Sequence, residues 1–331
     1  MSTLRTVLLC LAAVSPLAVA QSGSIDLLNF AMPDAKIVAG ANVDTAKNST
    51  FGQYVLSQIQ SGNPALQKFI LDTGVDPRTD VKQVVVSTDG TPGPSLHALV
   101  AAHGTFSNAI VILEASAGAN GGTVTHLAGG VDLISIGQEQ AKLGGRSMCI
   151  ALYTDLATAV LGDCDSVQAG IASATKPPAA TALITKAQQI RAQQDLWFTS
   201  VLPIGQLGDA VPPGFSPLLN SQLIQAIQQT SGGVKFVAAS TSDGPTVQLS
   251  GDALMDKPAN ATALMNVVKF FVGMIQMKGA NEPAAAPFLN ILAGLQTSVS
   301  GSTLNVSLTI PETALEQLYQ RVHVASAGPV E

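Results

Sequence analysis

The sequence predicts an α+β protein: two similar halves of mainly antiparallel sheet with helices packed on one face. Three observations carry that expectation. Strand-like runs come in adjacent pairs about short turns containing Gly or Asp-Gly. Helix-like stretches separate these pairs, whereas a doubly wound parallel fold needs strict strand–helix alternation. The order of elements over residues 36–136 also recurs over residues 196–310.

Taken in order, Lys36 to Val43 (KIVAGANV) reads as a strand. Phe51 to Gln60 and Pro64 to Thr73 read as helices, the second with Pro at its entry and Gly74 at its exit. VKQVVVSTDG from Val81 and SLHALVAAHG from Ser95 form a strand pair, followed by a helix over Phe106 to Ala117. TVTHLAGGVDLISI from Thr123 makes two short strands about a Gly turn. An insertion follows: a hairpin of Arg146 to Tyr153 and Ala159 to Asp163, then a helix from Cys164 to Ala174. Lys176-Pro177-Pro178 breaks the chain and divides it into residues 21–175 and 176–331. Ile184 to Asp195 is a Gln-rich bridging helix. The second half then repeats the series. Leu196 to Pro203 is a strand and Leu218 to Gln229 a helix. VKFVAASTSDG from Val234 and PTVQLSGDAL from Pro245 form a pair, Pro258 to Lys278 a helix, and TSVSGSTLNVSLTI from Thr297 the last pair.

The inserted helix carries L-G-D-C-D-S-V-Q-A-G-I at residues 161–171. With the order of strand pairs and helices, this segment resembles exported bacterial proteins built from duplicated α+β halves. The resemblance implies an address and a fold pattern. It implies no activity and assigns no functional residue.

The N-terminus supports the same address. Arg5 is the only charge in the first twenty residues, Val7 to Val14 is apolar, and Ala18-Val19-Ala20 supplies a small-x-small cleavage site before Gln21. The apolar core is too short to span a bilayer, which takes about 20 apolar residues. The expected mature protein is extracytoplasmic, periplasmic or secreted, with residues 1–20 removed. Loss of Arg5 leaves 15 of the 16 basic residues against 22 acidic ones, a net charge of −7. Such a chain suits neither nucleic acid nor an anionic membrane surface. Ala261 to Met277 is long and apolar, but Asn266, Lys269 and Gln276 fall at helical spacing. This pattern predicts a core helix with one polar stripe rather than a membrane span.

Local motifs predict no catalytic residue, no cofactor and no metal site. His97 and His103 share a strand face six residues apart, roughly 20 Å at 3.3 Å per residue, too far for one ion. His126 lies on another strand and His323 in the tail. Ser173-Ala174-Thr175-Lys176 matches S-x-x-K without the companion elements of acyl-transfer enzymes. Gly118, Gly121 and Gly122 follow a helix, the reverse of a phosphate-binding loop. Asp155, Asp163 and Asp165 lack calcium-loop spacing, and Asp163 or Asp165 reads as a helix cap. The three sequons, at Asn48, Asn260 and Asn305, read as chance.

Cys149 and Cys164 remain after processing and are a candidate disulfide for an oxidising compartment. A four-residue loop at Asp155 to Thr158 would place them directly opposite across the hairpin; a shorter turn would make them diagonal neighbours. Met255, Met265, Met274 and Met277 gather in the second half, as core filler or as the lining of an apolar cavity. Three readings follow. The first is a non-catalytic module binding a protein or envelope partner. The second is a carrier of an apolar small molecule, and the third a hydrolase whose residues converge only in the fold.

Overall fold

Ile37–Asn42 (β1) is a short run of Ile, Val, Ala and Gly that can be buried on both faces, and it lies at the middle of one continuous antiparallel sheet. The computed structural model describes residues 25–60, 64–91, 93–107, 109–119, 121–135, 142–143, 146–155, 157–174, 176, 180–202, 221–238, 244–279 and 286–326. Before the chain crosses the middle of the sheet it forms β2 (Val81–Thr88), β3 (Ala98–Gly104), β4 (Thr123–Leu127), β5 (Val131–Ser135), β6 (Lys142–Leu143), β7 (Arg146–Tyr153) and β8 (Thr158–Asp163). After it come β9 (Leu196–Ser200), β10 (Ile227–Val237), β11 (Thr246–Met255), β12 (Gln296–Ser300) and β13 (Thr303–Pro311). The sheet order is β12-β13-β11-β10-β9-β1-β2-β3-β8-β7-β5-β4, with β6 paired to β7.

β1 and β9 form the seam, with Ile37 opposite Ser200 and Ala41 opposite Leu196. Strands from residues 37–163 lie on one side and strands from residues 196–311 on the other. β2 and β10 both lie next to the seam, and β3 and β11 both lie one place further out. Outside these positions the sides differ. β13 pairs directly with β11, whereas the β7–β8 hairpin stands between β3 and β5.

The helices are α1 (Val43–Asn48), α2 (Thr50–Gln60), α3 (Pro64–Thr73), α4 (Ala109–Ala119), α5 (Cys164–Ala174), α6 (Ala182–Arg191), α7 (Ser221–Gln225), α8 (Pro258–Gly279), α9 (Ala286–Ala293) and α10 (Glu312–Ser326). The expectation that they pack on one face does not hold. Val131, Leu133, Cys149, Ala151 and Tyr153 point to one face, where they meet α5, α6 and a 3-10 turn at Leu27–Phe30. Their strand neighbours Ile134, Ile150 and Leu152 point to the other face and pack against Leu113 and Ala117 of α4. Beyond the seam, Lys186 of α6 reaches Asp252 of β11 on the first face. Ala253 and Met255 alternate to the second, under α7 and α8. Strands apolar on both sides need cover on both sides, and such runs show no clean alternation in sequence.

Other boundaries also differ from expectation. The helix expected over residues 218–229 ends at Gln225, and β10 begins at Ile227; the earlier part of that segment lies outside the described residues. Pairing of β10 with β11 from Ile227 and with β9 from Thr230 overrides the good helix propensity of Gln228 and Gln229. Asp89 and Gly90 do not form a tight hairpin turn. The Asp89 carboxylate instead accepts bonds from the Thr91 amide and hydroxyl and the His97 amide, organising a longer connection. Residues 312–326 form α10, so His323 lies in a helix rather than a tail. α10 ties the two sides together, because buried Glu312 accepts a 2.6 Å bond from the Phe51 amide at the start of α2. Tyr319 also stands edge-on to Phe51 and Tyr54.

Helix α8 is less buried than its sequence pattern predicts. Ala261, Leu264 and Phe271 are buried, but Phe270 is 56% and Met277 70% exposed. By length and composition α8 could cross a membrane, yet it lies along β11, β12 and β13, which meet only one side of the helix.

Cys149 and Cys164 are joined by a disulfide with Cα atoms 4.8 Å apart. The loop between β7 and β8 falls at residues 154–157, so Cys149 faces Gly162, and Cys164 is two residues further on. Cys164 is no longer in the strand. The turn into α5, capped by the Asp163 carboxylate on the Ser166 amide, brings it back over β7.

Candidate functional site

At one end of the seam, the face carrying α6 presents five polar residues in a row from five adjacent strands. Lys235 of β10 comes first, then Asp195 just before β9, Asn42 of β1, Gln83 of β2 and His103 of β3. The register fixes this row. Asn42 pairs with Gln83, and Gln83 with His103. The Asn42 amide donates to the Asp195 carbonyl at 2.6 Å, and the Asp195 amide to the Val234 carbonyl at 2.9 Å. The Asp195 carboxylate accepts the Phe236 amide at 2.8 Å, which fixes its orientation.

The next row inward is Gly233, Trp197, Gly40, Val85 and Ala101. The two glycines allow close packing here. A Cβ on Gly40 would fall 2.6 Å from Cε2 of Trp197, and one on Gly233 would fall 2.8 Å from Cβ of Gln194. The missing side chains let the indole and the Gln194 stem lie flat on the sheet. The end of α6 and the following turn form a wall from Gln188, Arg191 and Gln193. Arg191 is tied to Asp26 by two bonds of 2.6 and 2.7 Å, and Asp26 also accepts the Leu28 amide at 3.0 Å. The Arg191 guanidinium holds the Asp26 carboxyl below its ordinary range, outweighing the burial that opposes it.

These walls enclose a cleft of about 710 Å³, within the 300–1,000 Å³ usual for small-molecule sites. Among the described residues two buried polar atoms have no hydrogen-bond partner, His103 Nδ1 and Gln194 Oε1, and both belong to residues that line the cleft. Buried polar atoms in folded proteins are overwhelmingly paired, so two orphans beside one cleft single it out as the candidate site.

Other sequence candidates lie elsewhere. His97 Nδ1 is 3.3 Å from Asp163, whose carboxylate also takes the Ser166 amide and hydroxyl. His126 pairs with Asp132 at 2.5 Å on the surface. Asp155 closes the β7–β8 turn through the amides of Ala157 and Thr158, while Asp165 is exposed. Among the described residues no three His, Cys, Asp or Glu side chains gather as a metal set would. The Ser173 hydroxyl lies 3.0 Å from the carbonyls of both Asn29 and Gly170, which share its one donor; Thr175 of that motif lies outside the described residues. The methionines do not share one cavity. Met255 and Met265 pack into the core beneath α8, whereas Met274 and Met277 border a shallow surface depression with Phe270.

Sequence reasoning missed the cleft because its residues come from five separate strands and form no local motif. The available signals were His103 at a strand end and the glutamines at 188, 193 and 194. Comparison with protein-family models, curated proteins and solved structures finds no match to this chain.

Proposed function

We propose that this chain is a non-catalytic binding module that works outside the cytoplasm and holds its ligand in the cleft at the β1–β9 seam. The observation that carries the reading is the pair of unpartnered buried atoms, His103 Nδ1 and Gln194 Oε1, beside a cleft whose polar lining combines side-chain amides with two cations and two carboxylates. Its charges do not form catalytic pairs. Asp26 is committed to Arg191 and held ionised, the opposite of what a proton-donating carboxylic acid needs. The Cys149–Cys164 bridge suits an oxidising compartment and supports the extracytoplasmic address. The matching places of β2 with β10 and of β3 with β11 support a duplicated origin, with the β7–β8 hairpin inserted into one copy.

Two measurements on the purified mature protein test the reading. A thermal-shift screen with small polar molecules should yield at least one that stabilises the wild type and fails to stabilise Gln194→Ala. Esterase, peptidase and glycosidase assays should yield no turnover. Turnover that vanishes on replacing one Ser, His or Asp overturns the non-catalytic reading, and a screen in which nothing binds removes the cleft as the site.

A further inference from the structure

We infer that the cleft takes a neutral polyhydroxylated ligand, a short oligosaccharide, recognised by side-chain amides and the His103 imidazole. The inference rests on the binding-module reading and narrows it to one ligand class.

The donors and acceptors on offer carry the argument. Each Asn or Gln amide places a carbonyl acceptor beside an N–H donor, and a neutral imidazole carries one of each. A hydroxyl also donates and accepts, so adjacent hydroxyls on a sugar ring match such groups. Gln83, Gln188, Gln193 and Gln194 supply four such amides around one cleft, beside His103, and Asn42, whose Oδ1 accepts the Thr45 amide, adds its NH2 group. The buried, unpartnered His103 Nδ1 and Gln194 Oε1 would come within reach of ligand hydroxyls on a side-chain rotation into the cleft.

Charge argues against an ionic ligand. Arg191 is taken up bidentately by Asp26. Lys235 and Asp195 occupy neighbouring positions in the polar row, so the row carries one charge of each sign. Neither sign is left in excess for a carboxylate, phosphate or amine.

A peptide bound as an added strand is also excluded. That mode needs an open sheet edge. β1, β2 and β9 each pair on both sides, so their backbone groups are spent and the ligand meets side chains alone. The cleft volume accommodates a few sugar rings, and Val85 and Trp197 of the next row inward add apolar surface to its floor.

The test is isothermal titration of the full-length mature protein with cellotetraose, maltotetraose, mannotetraose and chitotetraose, with trialanine and citrate as contrasting probes. At least one tetrasaccharide should bind, and be recovered intact. Its affinity should fall tenfold or more in His103→Ala and in Gln194→Ala, the order expected when a buried hydrogen-bonding group loses its partner. Gln83→Ala, at an exposed position, should weaken binding even where a buried variant fails to fold. Asn260→Ala, remote from the cleft, should leave affinity unchanged. Failure of every saccharide to titrate overturns the inference, as does saccharide binding insensitive to all three cleft substitutions. If trialanine or citrate titrates instead and Gln194→Ala abolishes it, the ligand class is wrong while the binding-module reading survives.

Discussion

Removing the bridge between Cys149 and Cys164 should cost about 3 kcal/mol. The cysteines are 15 residues apart in sequence, and closing a loop of that length in the unfolded chain accounts for about 3 kcal/mol of chain entropy. The link also fastens the first residue of α5 to the middle of β7, so its loss frees the start of that helix. In urea, with an m-value of about 3 kcal/mol/M for a chain of this size, the unfolding midpoint should fall by about 1 M. Trp197 is the sole tryptophan and is buried beside the seam, so its fluorescence reports the transition. Two arms are needed. Reduced wild type keeps both sulfur atoms and isolates the cross-link, while Cys149→Ala/Cys164→Ala adds the packing loss at buried Cys149. Equal midpoints for oxidised and reduced protein refute the reasoning. So does a count of two free thiols from these positions in the denatured, unreduced chain.

Three further outcomes are expected. Gly40→Ala should destabilise by about 1–3 kcal/mol in the same urea assay, because its Cβ would be forced against the buried Trp197 ring. Asp163→Ala should cost about 1–2 kcal/mol through loss of the α5 cap. Burial raises the Asp163 pKa, but the Ser166 hydroxyl and amide together with His97 outweigh it and leave the value lowered. Its stabilisation is therefore complete above the unfolded value of about 4 and lost as pH falls through the lower folded value, so melting temperature against pH should flatten on the acid side in the variant. Tyr153, whose hydroxyl burial and then Asp155 push up to about 12, should ionise well above the ordinary tyrosine value of about 10 in a spectrophotometric titration.

The sequence reveals most where one short segment carries its own instructions. Pro64 and Gly74 bracket α3, and Asp163 before an apolar helical pattern starts α5. It reveals little where distant segments decide. His97 and His103 share a face with one spacing rule, yet one meets Asp163 and the other sits orphaned in the cleft; only the packing of α5 and α6 separates them. The same limit applies to α8. Its polar stripe is visible in sequence, but the sheet beneath it covers one side only, and that cover depends on strands drawn from residues 246–311. The row from Lys235 to His103 depends on five strand registers together, and no single stretch of chain contains it.

The seam also bears on dissection of the molecule. A cut near residue 176 severs no strand, yet it strips β1 and β9 of each other and leaves each fragment with a raw, unprotected edge. Five facing residue pairs and the Arg191–Asp26 clasp would then become an intermolecular contact. Fragments 21–175 and 176–331 made separately should reassociate when mixed, as split-protein reporters do. Kept apart, each should stick to its own twin through the orphaned edge. The ligand cleft straddles that line, so binding would return only with the mixed pair.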